Sequence, residues 1–174
     1  MKFQYTFKLD EQDYYEFNRY HMDNAPQMKR QMGILRFLFP VFFVFLGMSL
    51  GSGFAAAGIV NVLSGVLAVL WIVFFKRITN YSLKINIKKL KKDGKLVYDK
   101  DVEICFYDEN FTEKSVESDS TFKYSMIEKI GIGHAGIYLY MGALLAHIIP
   151  KSVFESEAKF EEFVAFINSK VNKA

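Results

Sequence analysis

Between Arg36 and Lys76 the chain has no Asp, Glu, Lys, Arg or His for 39 residues, although charged residues make up 24% of the whole. A gap of that length disfavours both a disordered chain and a single water-soluble globule, which need polar side chains throughout. Cysteine is almost missing as well. Cys105 is alone among 174 residues, so no intrachain disulfide can form, and a reducing compartment is permitted. His21, His134 and His147 lie too far apart in sequence for metal-ligand spacing, and Cys105 has no second cysteine nearby. There is no nucleophile elbow and no phosphate loop. The expectation is a chain that is not an enzyme, with no catalytic residue, no cofactor and no metal. A large excess of one charge is lacking too: 22 Lys and Arg against 19 Asp and Glu leave +3, too little to argue for a nucleic-acid partner.

What is present begins with the uncharged segment. A membrane-crossing helix needs about 20 apolar residues to pass roughly 30 Å of hydrocarbon. The uncharged run is too long for one crossing and suits two. Phe37 to Leu50 and Gly58 to Phe75 are its limbs, and the small residues Gly51 to Gly58 between them read as a tight turn. The spans are expected at about 34–52 and 55–76. Runs such as PVFFVFLG and VLAVLWIVFF are apolar on all sides, unlike an amphipathic core helix of a soluble protein. Lys29, Arg30 and Arg36 precede the first span, Lys76 and Arg77 follow the second, and the turn carries no charge. By the positive-inside bias, this is a multi-pass cell-membrane protein with both termini cytoplasmic.

No ionisable group lies inside the spans, which argues against a proton relay or ion pump. Small residues recur at four-residue spacing instead: Gly47 and Gly51 in the first limb, Ala57, Asn61 and Gly65 in the second, with Ser64 and Ala68 as a further pair. These positions are the expected helix-packing faces, with Asn61 able to hydrogen-bond between helices.

The flanks carry other periods. Phe3, Tyr5, Phe7 and Leu9 alternate with polar residues, a half-buried strand, and Asp10 then caps an aromatic helix from Glu11 to His21. The strand has no nearby partner, so it must pair with strands from the far end of the chain. Beyond the second span, Lys84, Lys88, Lys91, Lys92 and Lys95 fall on one helical arc and Leu83, Ile87 and Leu90 on another. Anionic headgroups attract such a stretch at about 1 kcal/mol per basic residue. The five lysines are the expected lipid contacts, although a basic exit also fixes topology on its own. From Val102 the period becomes two, with a turn at Asp108–Asn110 and four to six antiparallel strands. Gly131, Gly133 and Gly136 spell a dinucleotide fingerprint, but IYLYMG follows with strand periodicity, so a hairpin turn is expected. Ser156 caps a last helix whose Phe160, Phe163, Val164, Ile167 and Val171 share one face. A strongly bent sheet with one helix plugging its open end is the economical architecture.

Tyr124, Ile127, Lys129 and Ile130, then IYLY, then HIIPKSVFES from His147 to Ser156, set behind a two-span hairpin and a basic exit, resemble the YcxB-like family of small bacterial membrane proteins. The resemblance takes in nearly the whole chain, with Tyr124 standing where Trp is often seen. It implies a pleckstrin-homology-like shape and carries no catalytic residue over.

The expected fold class is therefore an α+β integral membrane protein. Residues 1–33 form an N-terminal strand and helix, part of the cytoplasmic domain, 34–76 a transmembrane hairpin, and 77–101 a basic amphipathic connector. Residues 102–174 form a pleckstrin-homology-like β domain with its C-terminal helix. The expected function is a membrane-anchored cytoplasmic module that recognises a protein partner or anionic lipid headgroups. An accessory subunit of a larger membrane or transport complex is the alternative. Expected partners are membrane lipids, anionic ones among them, and a membrane protein or a second copy of the chain; nucleic acid is not expected.

Overall fold

The computed structural model describes residues 1–51, 57–96, 100–116, 118–142 and 145–171. It is α+β, with two long apolar helices followed by antiparallel sheets and a C-terminal helix. The chain runs β1 (Phe3–Lys8), α1 (Glu11–Asn24), α2 (Pro26–Gly51), α3 (Ala57–Lys92), β2 (Asp101–Phe106), β3 (Asn110–Ser115), β4 (Asp119–Lys123), β5 (Lys129–Ile132), β6 (Gly136–Tyr140), β7 (Ala146–Pro150) and α4 (Glu157–Val171). It divides into two compact units, residues 1–17 with 87–174 and residues 18–86.

In the first unit, β1 finds its partner across most of the chain. It pairs antiparallel with β2, from Phe3 opposite Phe106 to Lys8 opposite Asp101. One sheet has the order β1-β2-β3-β4 and the other β5-β6-β7. The expected single bent sheet is thus two sheets among the described residues. The break has a local cause: Tyr124–Met126 turn into a short 3-10 helix after β4, and the Tyr124 hydroxyl donates to the Tyr107 carbonyl at 2.7 Å. Burial, with Asp108 adding to it, pushes that phenol up to about 12.

Between the sheets lies an aromatic core. Phe106, Phe111 and Phe163 are fully buried, and the Phe163 ring lies 5.4 Å from Phe3, 5.4 Å from Tyr5 and 4.8 Å from Phe106. Helix α4 turns Phe160, Phe163 and Ile167 inward at helical spacing, with Val164 and Val171 half-buried beside them. Gly131 and Gly133 belong to a hairpin: the Gly133 N–H donates to the Gly136 carbonyl at 2.8 Å. Gly136 is needed for another reason, since a Cβ there would lie 2.3 Å from the Ile149 carbonyl oxygen of β7. At the start of α1, Asp10 and Asp13 cap each other's backbone N–H at 2.8 and 2.9 Å, a reciprocal capping box. Burial, the largest influence, raises the Asp13 carboxyl above the ordinary carboxylate range.

In the second unit, α2 and α3 are longer than the expected spans because their polar flanks, MKRQM before and the lysine-rich stretch after, are good helix formers. The turn expected at Gly51–Gly58 falls largely on residues 52–56, outside the described residues. Among the described side chains of α2, Pro40 and Gly47 are the buried positions, seven residues apart, and Ala68 and Phe75 repeat that spacing on α3. This is a seam at the coiled-coil period. A Cβ at Gly47 would lie 2.5 Å from Ser64 Oγ and 3.4 Å from Asn61 Oδ1, so glycine is what lets the helices approach. The Phe39 and Trp71 rings pack 4.6 Å apart in the same unit. Gly65 differs: a Cβ there would meet nothing within 4 Å. Hence Gly47→Val is expected to cost about 1–3 kcal/mol of overpacking and to lower the thermal midpoint of the detergent-solubilised chain, read by near-UV circular dichroism from Trp71. Gly65→Val should leave that midpoint within experimental error.

Candidate functional site

The basic stretch is the first candidate. It is continuous with the second apolar limb, because α3 runs unbroken to Lys92. Lys84, Lys88, Lys91 and Lys92 are on the helix and share one arc. Lys95 leaves it. The Lys95 N–H bonds to the Leu90 carbonyl and the Gly94 N–H to that of Lys91, with Gly94 at φ 66°, the Schellman arrangement that ends a helix. Lys91 is also engaged, its Nζ 2.8 Å from Glu11 Oε1. Lys88, Lys92 and Lys95 are exposed and make no ion pair with any described residue. On the neighbouring arc of the helix Ile87 is buried and Leu83 half-buried, whereas Leu90 is exposed.

Of the expected packing positions, Gly47 and Asn61 come together, Gly65 faces open space, and Gly51 is the last residue of α2. Ala57 opens α3, its side chain outside the described set. Asn61 is exposed, an amide on an otherwise apolar helix surface.

A groove in the same unit was not expected from the sequence. It has a volume of about 570 Å³ and is lined by Phe43 of α2 and by Leu67, Leu70, Trp71, Phe74, Arg77, Ile78 and Tyr81 of α3. Arg77 holds its guanidinium 5.5 Å from the centre of the Phe74 ring. Trp71 Nε1 is buried and has no hydrogen-bond partner among the described residues. The helical spacing of Leu67, Leu70, Trp71, Phe74 and Ile78 is visible in the sequence, but an apolar helix offers every such stripe equally, and only the position of Phe43 selects this one.

The other candidate lies between the two sheets. His147 on β7 and Glu113 on β3 pair through Nδ1 and Oε2 at 2.5 Å, with the edges of Phe111 and Phe122 around the imidazole. They line a cavity of about 170 Å³ with Leu9, Tyr14 and Ile148. His147 Nε2 is buried without a partner among the described residues. A carboxylate-oriented imidazole is what metal centres and general bases use. Here no third ligand joins it, since no group of three His, Cys, Asp or Glu side chains converges among the described residues. The arrangement ties one sheet to the other. Residues 34 apart on strands of different sheets leave no local pattern that would have paired them in advance.

Comparison with curated proteins and with solved structures gives no match. A family model does match: that of YcxB-like protein, over residues 106–167. The match starts at the last residue of β2 and ends within α4, so it is narrower than the near-whole-chain resemblance and leaves the apolar hairpin outside it. It takes in Tyr124, the His147–Ser156 run and the Glu113–His147 pair. The chain thus carries a YcxB-like segment at residues 106–167, the family that its sequence resembles.

Proposed function

We propose that this protein is a membrane-anchored binding module whose α2–α3 hairpin crosses the bilayer twice, with both flanks cytoplasmic, and whose basic exit contacts anionic headgroups. One observation carries the reading. The described parts of α2 and α3 hold 18-residue windows of mean hydropathy 1.9 and 2.4, and only 11% of each window is buried. A core helix of a soluble protein would hide that surface, and water would not tolerate side chains as exposed as Phe45 at 68% and Ile59 at 67%. Lipid covers them at no cost. The basic residues at both outer ends favour the cytoplasm for the flanks. A four-stranded and a three-stranded antiparallel sheet followed by a helix support a pleckstrin-homology-like module as the presenting surface.

A second reading has its own support. Asn61 is exposed on an apolar helix, and Gly65, one turn on, has open space above it. An amide and a small residue on one lipid-facing surface suit another protein's helix, as in an accessory subunit.

Three outcomes test these readings. In a version with Cys105 replaced by Ala, single cysteines at Ser52 and at Ser169 are expected to react with an impermeant thiol reagent only at Ser52. Labelling of Ser169 in intact cells would remove the proposed topology. In lipid nanodiscs, hydrogen exchange across residues 84–95 should slow when phosphatidylglycerol replaces part of the phosphatidylcholine, and the Lys88→Gln, Lys92→Gln, Lys95→Gln chain should lose that response. For the second reading, Asn61→Leu should release any membrane protein that copurifies with the wild type in mild detergent.

A further inference from the structure

Both faces of β6 are hidden. Ile137 and Leu139 point into the core, and Tyr138 and Tyr140, on the opposite face, are only 2% and 7% exposed. The first half of α1 covers that second face: the Phe17 ring lies 5.2 Å from Tyr138 and 6.0 Å from Tyr140, and Leu9 and Tyr14 meet Ile148 of β7 around the cavity of about 170 Å³. By itself α1 is a weak cover, since Tyr15 is the one buried residue of its 14 and helices that short are marginal in isolation. Two ties hold its first turn. The Asp10–Asp13 capping box is internal to it. Glu11 reaches outside α1, its Oε1 accepting from Lys91 Nζ at 2.8 Å, on the same basic arc as Lys88 and Lys92.

We propose that α1 is a strap over β6 whose closure is set by membrane charge: Lys91 holds Glu11 when the basic arc meets a neutral surface and is drawn off when the arc meets an anionic one. The proposal rests on the lipid-contact reading of the arc and adds to it a consequence inside the β domain, access to the Tyr138–Tyr140 face. Lys88, Lys92 and Lys95, exposed and without an ion pair among the described residues, bring phosphates to the arc. A phosphate seated there acts on the Glu11–Lys91 pair twice, competing for the ammonium and repelling the carboxylate. The pair is open to this exchange because its side chains are 34% and 37% exposed, so headgroups reach it and its own contribution is small.

Hydrogen exchange of the full-length chain in lipid nanodiscs reads the arc and the strap together. When phosphatidylglycerol replaces part of the phosphatidylcholine, residues 84–95 should slow and residues 11–17 should exchange about two- to fivefold faster, the change in opening that an exposed ion pair supplies. Lys91→Gln leaves α1 itself untouched, and it should give the fast exchange of 11–17 already in phosphatidylcholine, with no further response to phosphatidylglycerol. The chain with Lys88→Gln, Lys92→Gln and Lys95→Gln should keep the slow exchange of 11–17 in both lipids. If 84–95 slowed in the wild type while 11–17 stayed unchanged, the strap would be overturned and the lipid contact would stand. Wild-type exchange of 11–17 in Lys91→Gln would mean that the ion pair holds nothing, and acceleration in the triple variant would mark a general effect of the bilayer; either overturns the strap. If neither segment of the wild type responded, the lipid-contact reading would fall and the strap with it.

Discussion

The ladder between β1 and β2 is the constraint on which the first unit depends. Six residues at each end, Phe3–Lys8 and Asp101–Phe106, pair across an excursion of 92 residues. Closing a loop of that length costs only about 3–4 kcal/mol more than closing a two-residue hairpin, because the entropy grows with the logarithm of length. The ladder offsets this by what it buries. Its inward side chains, Phe3, Tyr5 and Phe7 from one strand and Val102, Ile104 and Phe106 from the other, all join the core that α4 covers. Fully burying a large apolar side chain is worth about 1.5–3 kcal/mol. Three or four of them outweigh the closure term, so a strand far from its partners in sequence is still held.

A different balance governs the hairpin. Its large apolar side chains stand mostly outward and contribute little to the contact between the two helices. Association of α2 with α3 therefore depends on close contact: glycine at 47, serine at 64 and alanine at 68 let the helices approach, and aromatic rings at 39 and 71 fill the space beside them. The two units use their aromatic side chains in opposite ways. In the first unit the aromatic side chains turn inward against α4; in the hairpin Phe37, Phe42 and Phe45 point outward, and small residues take the interior.

Patterns that depend on near neighbours were legible. The alternation of Phe3, Tyr5 and Phe7, the turn before Phe111, the apolar face of α4 and the refusal of Gly131–Gly136 to be a nucleotide loop are local statements about period and turn chemistry, and the fold agrees with each. Lys95 shows the limit of the same reasoning. Helical arithmetic put it beside Lys91, but a glycine one residue earlier, able to adopt positive φ, ends the helix first. Gly65 shows another limit: spacing of four places it in line with Asn61, yet the seam follows the residues at 64 and 68 because two helices cross at the heptad period.

By itself the sequence determined that an uncharged middle would form two apolar helices, that a β-rich C-terminal part would end in an amphipathic helix, and that the first strand would need a distant partner. These follow from composition and period, which each short segment carries alone. Only the tertiary structure decided that the strands split into two sheets at Tyr124, that His147 meets Glu113, that Lys91 is occupied by Glu11, and that one apolar stripe on α3 becomes a groove with Arg77 in its lining. Each of those is a meeting of residues distant in sequence, set by where whole elements come to rest, and no local pattern encodes a distance between two elements.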